Sequence, residues 1–263
     1  MYIKKIEELN INVKNRADKQ NPTKHKGLNS HLYGVEMEKE ISNFLQTAEG
    51  EKVLKVMNLK LEEIENIVYG KELSSYTKNK KIDILIITKN NKNNVRISCK
   101  TSKVKTVGVL EMHGDTFYKK CKVFLKRNNM SYMESNLSFF PFYDENGRTI
   151  SAVNKADKKR VDDFRENIQK DWKKLLQFCI QGEDTDEEID YIFFYDKDEH
   201  YLYVSNIEDY LDLVDKYGSA STLNAKFTIT STSDKNKDKA KEDKRIKFKM
   251  QNPIKILKTK HLI

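Results

Sequence analysis

The feature that most constrains this chain is the stretch Tyr76–Glu111, in which two short apolar runs flank a polar turn. The first run, Ile82–Thr88, is β-branched and aliphatic over the length of a strand, and Asp83 is its only charged residue. The second run, Val95–Lys100, alternates apolar and polar residues with the period of two that indicates a strand. The sequence therefore predicts a strand pair with an acid at one end.

The alternation in the second run sorts its residues onto two faces of the strand. The apolar face and the polar face hold three residues each: Val95, Ile97 and Cys99, and Arg96, Ser98 and Lys100. If the two runs pair, Asp83 stands beside Ser98 and Lys100, where a carboxylate can hold a divalent cation and an ammonium can approach its water. A surface hairpin with an edge acid and a solvated lysine fits the same pattern, so both interpretations stay open on these residues alone.

The charge of the chain narrows the class of partner. Lysine and arginine number 49 against 40 acidic residues in a chain of 263, which gives a formal net charge of +9 and a pI of about 9.1. This balance favours a polyanionic partner such as nucleic acid, although a basic chain can also be merely soluble. At this length, one continuous α/β unit with embellishments is expected.

Several kinds of site are disfavoured by the residues present. The cysteines Cys99, Cys121 and Cys179 have no CxxC spacing, and no histidine stands at zinc-ligand spacing from a cysteine or another histidine. Gly-rich phosphate loops are absent, which argues against dependence on ATP or NAD. The N-terminus lacks the apolar core of a signal peptide, and no apolar run approaches about 18 residues. We therefore expect a cytoplasmic protein without disulfides, zinc or a membrane span.

A helical period begins at Gly34 and is expected to end at Gly50. Its apolar face holds four residues: Met37, Ile41, Phe44 and Leu45. Glu38 lies at the edge of this face, where an acid can reach a metal site if the helix packs on the sheet. A solvated glutamate fits the same spacing equally well, so the role of Glu38 stays open at this point.

The remaining elements are predicted from the same two periods. Four further helices are expected: a short one within residues 1–30, followed by an arm, and others at Leu61–Val68, Asp157–Ile180 and Asn206–Gly218. Strands are expected in a hairpin across residues 191–206, at Ala225–Ser231 and at Arg245–Met250. The segment that follows Lys100 is expected to be a loop beside the site.

The strand Arg245–Met250 carries its cations on one face. The period of two places Arg245, Lys247 and Lys249 together, opposite an apolar face. Three cations on one side of a strand can contact phosphates or base edges. An edge strand that its lysines protect from aggregation has the same pattern, and the two alternatives are weighed equally.

Six segments, in this order, resemble the small type II restriction endonucleases of the HinPI-like (GCGC-cutting) and MspI-like (CCGG-cutting) group, within the PD-(D/E)xK nuclease superfamily. GVEMEKEI, TKNKKIDILI and VRISCK are similar to the family's opening helix, its first catalytic strand and its lysine-bearing strand. SKVKTVGVLE is similar to the segment that enters the DNA groove. YLYVSNIEDYLDLV and RIKFKM are similar to the late strand and helix and to the C-terminal strand, so the resemblance covers most of the chain.

The resemblance implies an α/β fold: a PD-(D/E)xK restriction-endonuclease-like core with a central mixed β-sheet flanked by helices. It implies a single endonuclease domain over residues 1–263, with an N-terminal arm at 1–33, a catalytic core at 34–150, and a helix, hairpin and DNA-contacting strands at 151–263. The implied activity is Mg²⁺-dependent double-strand cleavage at a short palindrome containing G and C, such as GCGC or CCGG, leaving 5′-phosphates. The implied partners are double-stranded DNA and, in the cell, a cognate DNA methyltransferase, with the protein a monomer or homodimer.

The resemblance also implies roles for individual residues. The catalytic set is Asp83, Ser98, Lys100 and Glu38, and the metal ligands are Asp83, the main-chain carbonyl of Cys99 and Glu38. Contacts to DNA are implied for nine residues: Ser102, Lys103, Lys105, Thr106, Gly108, Glu111, Arg245, Lys247 and Lys249.

Two positions depart from the pattern of the family. No proline precedes Asp83, and Ser98 stands where these relatives have an amide. Because a serine hydroxyl is a poor anionic ligand, Glu38 is the first candidate for the missing acid and Glu111 the second. A less specific repair nuclease of the same superfamily and a non-enzymatic basic DNA-binding protein are the alternatives.

Overall fold

The structure is a computed structural model. It describes residues 2–5, 26–79, 81–90, 93–102, 106–113, 120, 123–124, 126, 129, 166, 170, 172–181, 188–196, 199–217, 223–224, 245–251 and 253–259. For residues 2–5, 26–32, 102, 106–107, 111–113, 223–224, 245–249, 251, 254 and 259 it describes the backbone alone.

The chain divides into two compact units. The first comprises Met1–Val104 and Asp186–Asp212, and the second comprises Lys105–Thr185 and Leu213–Ile263. Each unit contains one β-sheet, and the six-stranded sheet of the first unit holds the strand pair that the sequence singled out.

The first unit has a mixed sheet with the strand order β1-β7-β6-β4-β3-β2. Its strands are β1 (Tyr2–Lys5), β2 (Ile64–Tyr69), β3 (Ile84–Thr88), β4 (Val95–Ser102), β6 (Tyr191–Asp196) and β7 (Tyr201–Asn206). The pair β4 and β6 is parallel and every other pair is antiparallel. Its helices are α1 (Lys26–Leu45) and α2 (Gly50–Val56), with single 3₁₀ turns at Leu61–Glu63 and Gly70–Ser75.

The second unit has a three-stranded antiparallel sheet with the order β5-β9-β8. Its strands are β5 (Thr106–His113), β8 (Leu223–Asn224) and β9 (Arg245–Gln251). The helices whose bounds the described residues define here are α3 (Trp172–Gln181) and α5 (Pro253–Thr259), and α4 (Ile207–Tyr217) begins in the first unit and ends in the second.

Helices cover both faces of the mixed sheet. One face forms a core with α1, in which the helix contributes Met37, Ile41 and Leu45 and the strands contribute Ile84, Ile86, Val95, Ile97, Cys99, Phe193 and Tyr195. On the other face, the ring of Phe194 lies 5.3 Å from the ring of Tyr210 in α4. The five side chains of β3 are all buried, which explains why this strand is a continuous aliphatic run. The α/β prediction of a central mixed sheet flanked by helices is confirmed.

The break between α1 and α2 depends on a close backbone approach at Gly50. A Cβ atom at Gly50 would lie 2.0 Å from the carbonyl oxygen of Phe44, so no larger residue fits without a shift of the chain. The Thr47 hydroxyl donates to the Phe44 carbonyl at 2.7 Å and accepts the Gly50 N–H at 3.1 Å. Gly50 therefore begins α2. The prediction that Gly50 ends the first helix is wrong, because α1 ends at Leu45.

Three further predictions of local structure are wrong. The helix expected from Gly34 begins earlier, at Lys26. Tyr2–Lys5 forms the strand β1, and residues 6–25, where the short N-terminal helix was also expected, lie outside the described residues. The segment Leu61–Val68 forms a 3₁₀ turn and then β2, because Ile67 and Val68 pack as strand residues against β3. The loop expected after Lys100 contains β5.

The hairpin β6–β7, the helix α4 and the strand β9 confirm the sequence predictions. The predicted strand Ala225–Ser231 and most of the predicted helix Asp157–Ile180 lie outside the described residues. The single-domain interpretation stays a prediction. None of the helices in the described part of the chain combines the length and apolar character that a bilayer crossing requires.

Candidate active site

Asp83 is fixed at the entrance to β3 by main-chain pairing with β4. Its N–H donates to the Ile97 carbonyl at 2.9 Å, which extends the ladder by one residue beyond the pair Ile84 and Ile97. Because Asp83 directly precedes the buried residues of β3, its carboxylate is held at the end of the strand. The predicted pairing of the two runs is confirmed.

Three donors from β4 converge on one oxygen of Asp83. Its Oδ2 accepts the Cys99 N–H at 2.7 Å, the Ser98 hydroxyl at 3.0 Å and the Lys100 ammonium at 3.1 Å. Among the residues that the structure describes, no hydrogen bond reaches Oδ1. The carboxylate is therefore locked in orientation while one of its oxygens remains available.

Lys100 bridges two oxygen atoms. Its Nζ lies 3.1 Å from Asp83 Oδ2 and 3.1 Å from the carbonyl oxygen of Cys99. The lysine and aspartate side chains are 16% and 22% exposed, so the ion pair is partly withdrawn from water and only weakly screened. The Lys100 ammonium therefore contacts Asp83 and the Cys99 carbonyl, two of the three residues that the resemblance implies as metal ligands.

Glu38 of α1 belongs to the same site. Burial and the nearby negative charge of Asp83 raise the pKa of Glu38 from 4.5 to about 8, while Lys100 opposes that rise. A second carboxylate, close enough to be influenced by the charge of Asp83, is therefore present on the helix that forms the core with the sheet. Strong pKa perturbation of this kind concentrates at functional sites.

Cys99 contributes main-chain atoms and not its sulfur. The side chain is 7% exposed, and burial together with Asp83 and Glu38 raises the pKa of the Cys99 thiol well above its usual value. A neutral thiol is a poor metal ligand because the thiolate is the form that binds. The carbonyl of Cys99 is thus the atom that this residue offers to a cation.

The donor set fits a hard divalent cation such as Mg²⁺. Two carboxylates and one carbonyl provide oxygen atoms, and Mg²⁺ is commonly held by one or two carboxylates with water and substrate phosphates completing the shell. Within the described residues, no three His, Cys, Asp or Glu side chains form a ready-made metal cluster. The oxygen ligands fit a cation that shares its coordination with a substrate.

The other predicted residues lie at the end of β4, in the second unit, or outside the described part of the chain. Register pairs three cationic positions of β9 with β5: Lys249 with Gly108, Lys247 with Glu111, and Arg245 with His113. Ser102 ends β4, Thr106 begins β5, and Lys103 and Lys105 are not described. Glu38 lies with Asp83 in the first unit, whereas Glu111 belongs to the second unit and only its backbone is described, so its candidacy stays a prediction.

Sequence reasoning missed a second pair between a carboxylate and a cationic residue of β4, formed by Asp190 and Arg96. Asp190 Oδ2 accepts the Arg96 N–H at 2.7 Å and lies 3.6 Å from the Arg96 guanidinium. The Asp190 N–H donates to the Arg96 carbonyl, and its own carbonyl accepts the Ile207 N–H. An acid directly before the apolar run YIFF was the signal, since Asp83 stands in the same way before ILII.

No family model matches the chain, and no curated protein matches it. Among the solved structures that match is the crystal structure of restriction endonuclease MspI in complex with its cognate DNA. The two chains are 18% identical, the match covers 88% of this chain and 94% of that chain, and the TM-score is 0.44. A likeness at this level establishes neither a family nor an activity, so the function depends on the residues of the site.

Proposed function

We propose that this protein is a Mg²⁺-dependent endonuclease that cuts both strands of DNA at a short palindrome and leaves 5′-phosphates. The observation that carries the proposal is that Lys100 Nζ lies 3.1 Å from both Asp83 Oδ2 and the Cys99 carbonyl oxygen, with the carboxylate of Glu38 near enough to be influenced by Asp83 and Lys100. The net charge of +9 supports DNA as the substrate.

The cation has a defined task in this proposal. Held by Asp83, the Cys99 carbonyl and Glu38, Mg²⁺ would offset the negative charge that develops on the phosphate and on the leaving oxygen. The hydrogen bonds from Ser98 and from the Cys99 N–H fix the Asp83 carboxylate before substrate arrives. Positioning of this kind lowers the barrier because the site need not reorganise during the reaction.

Lys100 acts on the attacking water. Its ammonium contacts the oxygens of Asp83 and Cys99, which are two of the atoms that would hold the cation. In this proposal Lys100 would either orient the attacking water towards the phosphorus atom through an N–H donor or act as the base that takes its proton. Ser98 acts through Asp83, because its hydroxyl donates to the same carboxylate oxygen.

The site specificity would reside in the second unit and in the segment that follows β4. Ser102, Lys103, Lys105, Thr106, Gly108 and Glu111 are proposed to contact DNA together with Arg245, Lys247 and Lys249. The register brings the cationic positions of β9 opposite β5, so both segments belong to one small sheet. A bidentate contact from a cationic side chain to guanine contributes about 1–3 kcal/mol of discrimination.

A digest of DNA of known sequence, followed by mapping of the cut ends, tests this function. Discrete bands in the presence of Mg²⁺ and no cleavage with EDTA are expected, and the ends should share one short palindrome. A smear would favour a less specific repair nuclease. Binding without strand breaks at any Mg²⁺ concentration would instead indicate a non-enzymatic DNA-binding protein.

The role of β9 is tested by comparing DNA targets. If Lys247 and Lys249 contact bases, changing either to Ala weakens binding to the cleaved sequence far more than to random DNA. If they contact phosphates alone, both affinities fall together, and the slope of log K against log salt shrinks by about 0.9 for each lysine removed. No change in either affinity would leave the lysines as protection for a strand edge.

A further inference from the structure

A second basic surface lies directly before Asp83, in a segment that the predicted DNA contacts do not include. Residues 71–81 contain four lysines and one glutamate. The part from Tyr76 to Lys81, here called the basic loop, follows the 3₁₀ turn Gly70–Ser75 and leads into β3.

The described residues of the basic loop, Tyr76–Asn79 and Lys81, are fixed by hydrogen bonds to the preceding 3₁₀ turn and to each other. The Tyr76 and Thr77 N–H groups both donate to the Leu73 carbonyl at 2.9 Å. The Thr77 hydroxyl accepts the Asn79 N–H, and Asn79 Oδ1 accepts the Lys81 N–H, each at 3.0 Å. The donors in these contacts are main-chain N–H groups, so this part of the shape of the loop does not depend on the lysine side chains.

The basic loop presents polar tips to solvent. Tyr76 is 52% exposed, one of the few large side chains with an apolar body that the described residues leave so open, and Lys78 is exposed as well. Lys81 is half-buried. An exposed phenol beside lysines is a typical set of donors for phosphate oxygens.

We propose that the basic loop holds the backbone of the DNA strand that is being cut, with Lys78 and Lys81 contacting phosphates next to the scissile one and the Tyr76 hydroxyl donating to a phosphate oxygen. This inference rests on the proposed function, because it needs the scissile phosphate to lie at Asp83. It assigns the basic loop to positioning and non-specific affinity, not to the reading of sequence.

The position of the basic loop in the chain supports this assignment. Lys81 is two residues from Asp83, so their Cα atoms are at most about 7.6 Å apart. Each strand of a duplex carries one phosphate per roughly 3.4 Å of helix axis. A phosphate held at Asp83 therefore brings its neighbours within reach of the basic loop, and the turn at Asn79 keeps Lys78 close to the same end of β3.

The experiment measures binding of a short random-sequence duplex across salt concentrations, with EDTA present to prevent hydrolysis. Lys78→Gln and Lys81→Gln are compared with Lys52→Gln, which removes a 57%-exposed lysine from α2. For each loop variant the salt slope is expected to shrink by about 0.9, so a fourfold rise in salt weakens binding about 3.5-fold less than in wild type. Lys52→Gln should keep the wild-type salt slope. Tyr76→Phe should weaken binding and also keep the wild-type salt slope, because it removes no charge.

Thermal unfolding of each variant separates a binding effect from a folding defect. Lys81→Arg keeps the charge and should restore the slope, and Lys78→Gln decides the matter if Lys81→Gln unfolds. Loop variants with the slope of Lys52→Gln would overturn the inference while leaving the nuclease proposal intact. A loss confined to the cleaved sequence would also overturn it, since the basic loop would then read bases. A wild-type protein that neither binds nor cuts DNA would instead refute the proposed function itself.

Discussion

Strand β4 holds two aspartates in nearly the same way, and only one of them lies in a candidate active site. The main-chain N–H of Cys99 donates to Asp83 at 2.7 Å, and that of Arg96 donates to Asp190 at 2.7 Å. Each carboxylate also has a cationic partner from β4. Lys100 lies 3.1 Å from Asp83, and the Arg96 guanidinium lies 3.6 Å from Asp190.

The difference lies in what surrounds each pair. Asp190 uses its own N–H and carbonyl to join β4, β6 and the start of α4, so its contacts connect elements of the fold. Asp83 has a second carboxylate, Glu38, and a carbonyl oxygen that shares the Lys100 ammonium. A carboxylate–cation pair on a strand can therefore be purely structural, and additional oxygen atoms around the same cation indicate a candidate active site.

The largest expected effect separates the two pairs by activity. Asp83→Ala and Lys100→Ala should each lower the cleavage rate at least 100-fold, because each removes a group that acts on the ion or the water. The measurement is the single-turnover rate on a duplex containing the cleaved sequence. DNA affinity should stay close to that of wild type, and the rate is referred to the folded fraction because Asp83→Ala also leaves the Cys99 N–H without its acceptor.

Asp190→Ala and Arg96→Ala are the matched controls for that experiment. The folded fraction of each control should cut DNA at close to the wild-type rate, since neither residue belongs to the candidate site. A loss below tenfold in Asp83→Ala, about 1.4 kcal/mol of barrier, would remove Asp83 from the mechanism. Equal losses in both pairs would erase the distinction between them.

The second prediction concerns Glu38, the second carboxylate that lies near Asp83 and has no counterpart near Asp190 among the described residues. The pKa of Glu38 is raised to about 8, and cation binding requires the ionised carboxylate, so Mg²⁺ affinity should rise by up to about tenfold per pH unit below 8 and level off above it. Isothermal titration with Mg²⁺ at several pH values measures this. Glu38→Gln should weaken binding and flatten its pH dependence, and an unchanged profile would exclude Glu38 as a ligand.

The same pKa has a consequence for stability without metal. Because the folded-state pKa of about 8 exceeds the ordinary value of 4.5, the folded protein retains a proton that the unfolded chain releases. The stabilisation that this retained proton gives the folded state is fully present below about pH 4.5 and is lost as the pH rises through 8. The unfolding free energy of wild type should therefore fall relative to Glu38→Gln over this window, by less than about 1.4 kcal/mol per pH unit because the side chain is partly solvated.

The sequence predicted the strand pair and the closeness of Ser98 and Lys100 to Asp83, because a lone acid in an aliphatic strand and a period of two leave few arrangements. It failed at Leu61–Val68, where IENIV fits a helix or a strand and pairing with β3 decides between them. The Lys100 bridge between Asp83 and the Cys99 carbonyl was also unpredictable, since it depends on side-chain geometry at the end of β4. The pairing of Asp190 with Arg96, which acts as a clamp between β4 and the start of β6, was also unpredictable because the two residues are 94 positions apart in the sequence.

The third prediction sharpens the comparison through stability. Asp190→Ala leaves the Arg96 N–H without its carboxylate acceptor and should lower the unfolding free energy by about 1–2 kcal/mol. Urea denaturation measures the loss. Asp190→Asn keeps an oxygen acceptor and should recover part of it, whereas a wild-type midpoint for Asp190→Ala would show that the pair is not a clamp.

The smallest expected effect is at Ser98, which is fully buried and donates to Asp83 Oδ2 at 3.0 Å. Ser98→Ala removes one of three hydrogen bonds to that oxygen and leaves those from the Cys99 N–H and Lys100 in place. Since a hydrogen bond of this kind contributes about 1 kcal/mol, cleavage should slow roughly fivefold, far less than in Asp83→Ala. Single-turnover rates of the two variants under the same conditions measure this difference. If their losses are equal, Ser98 is itself a primary ligand of the ion, and Glu38 is no longer needed as the second acid.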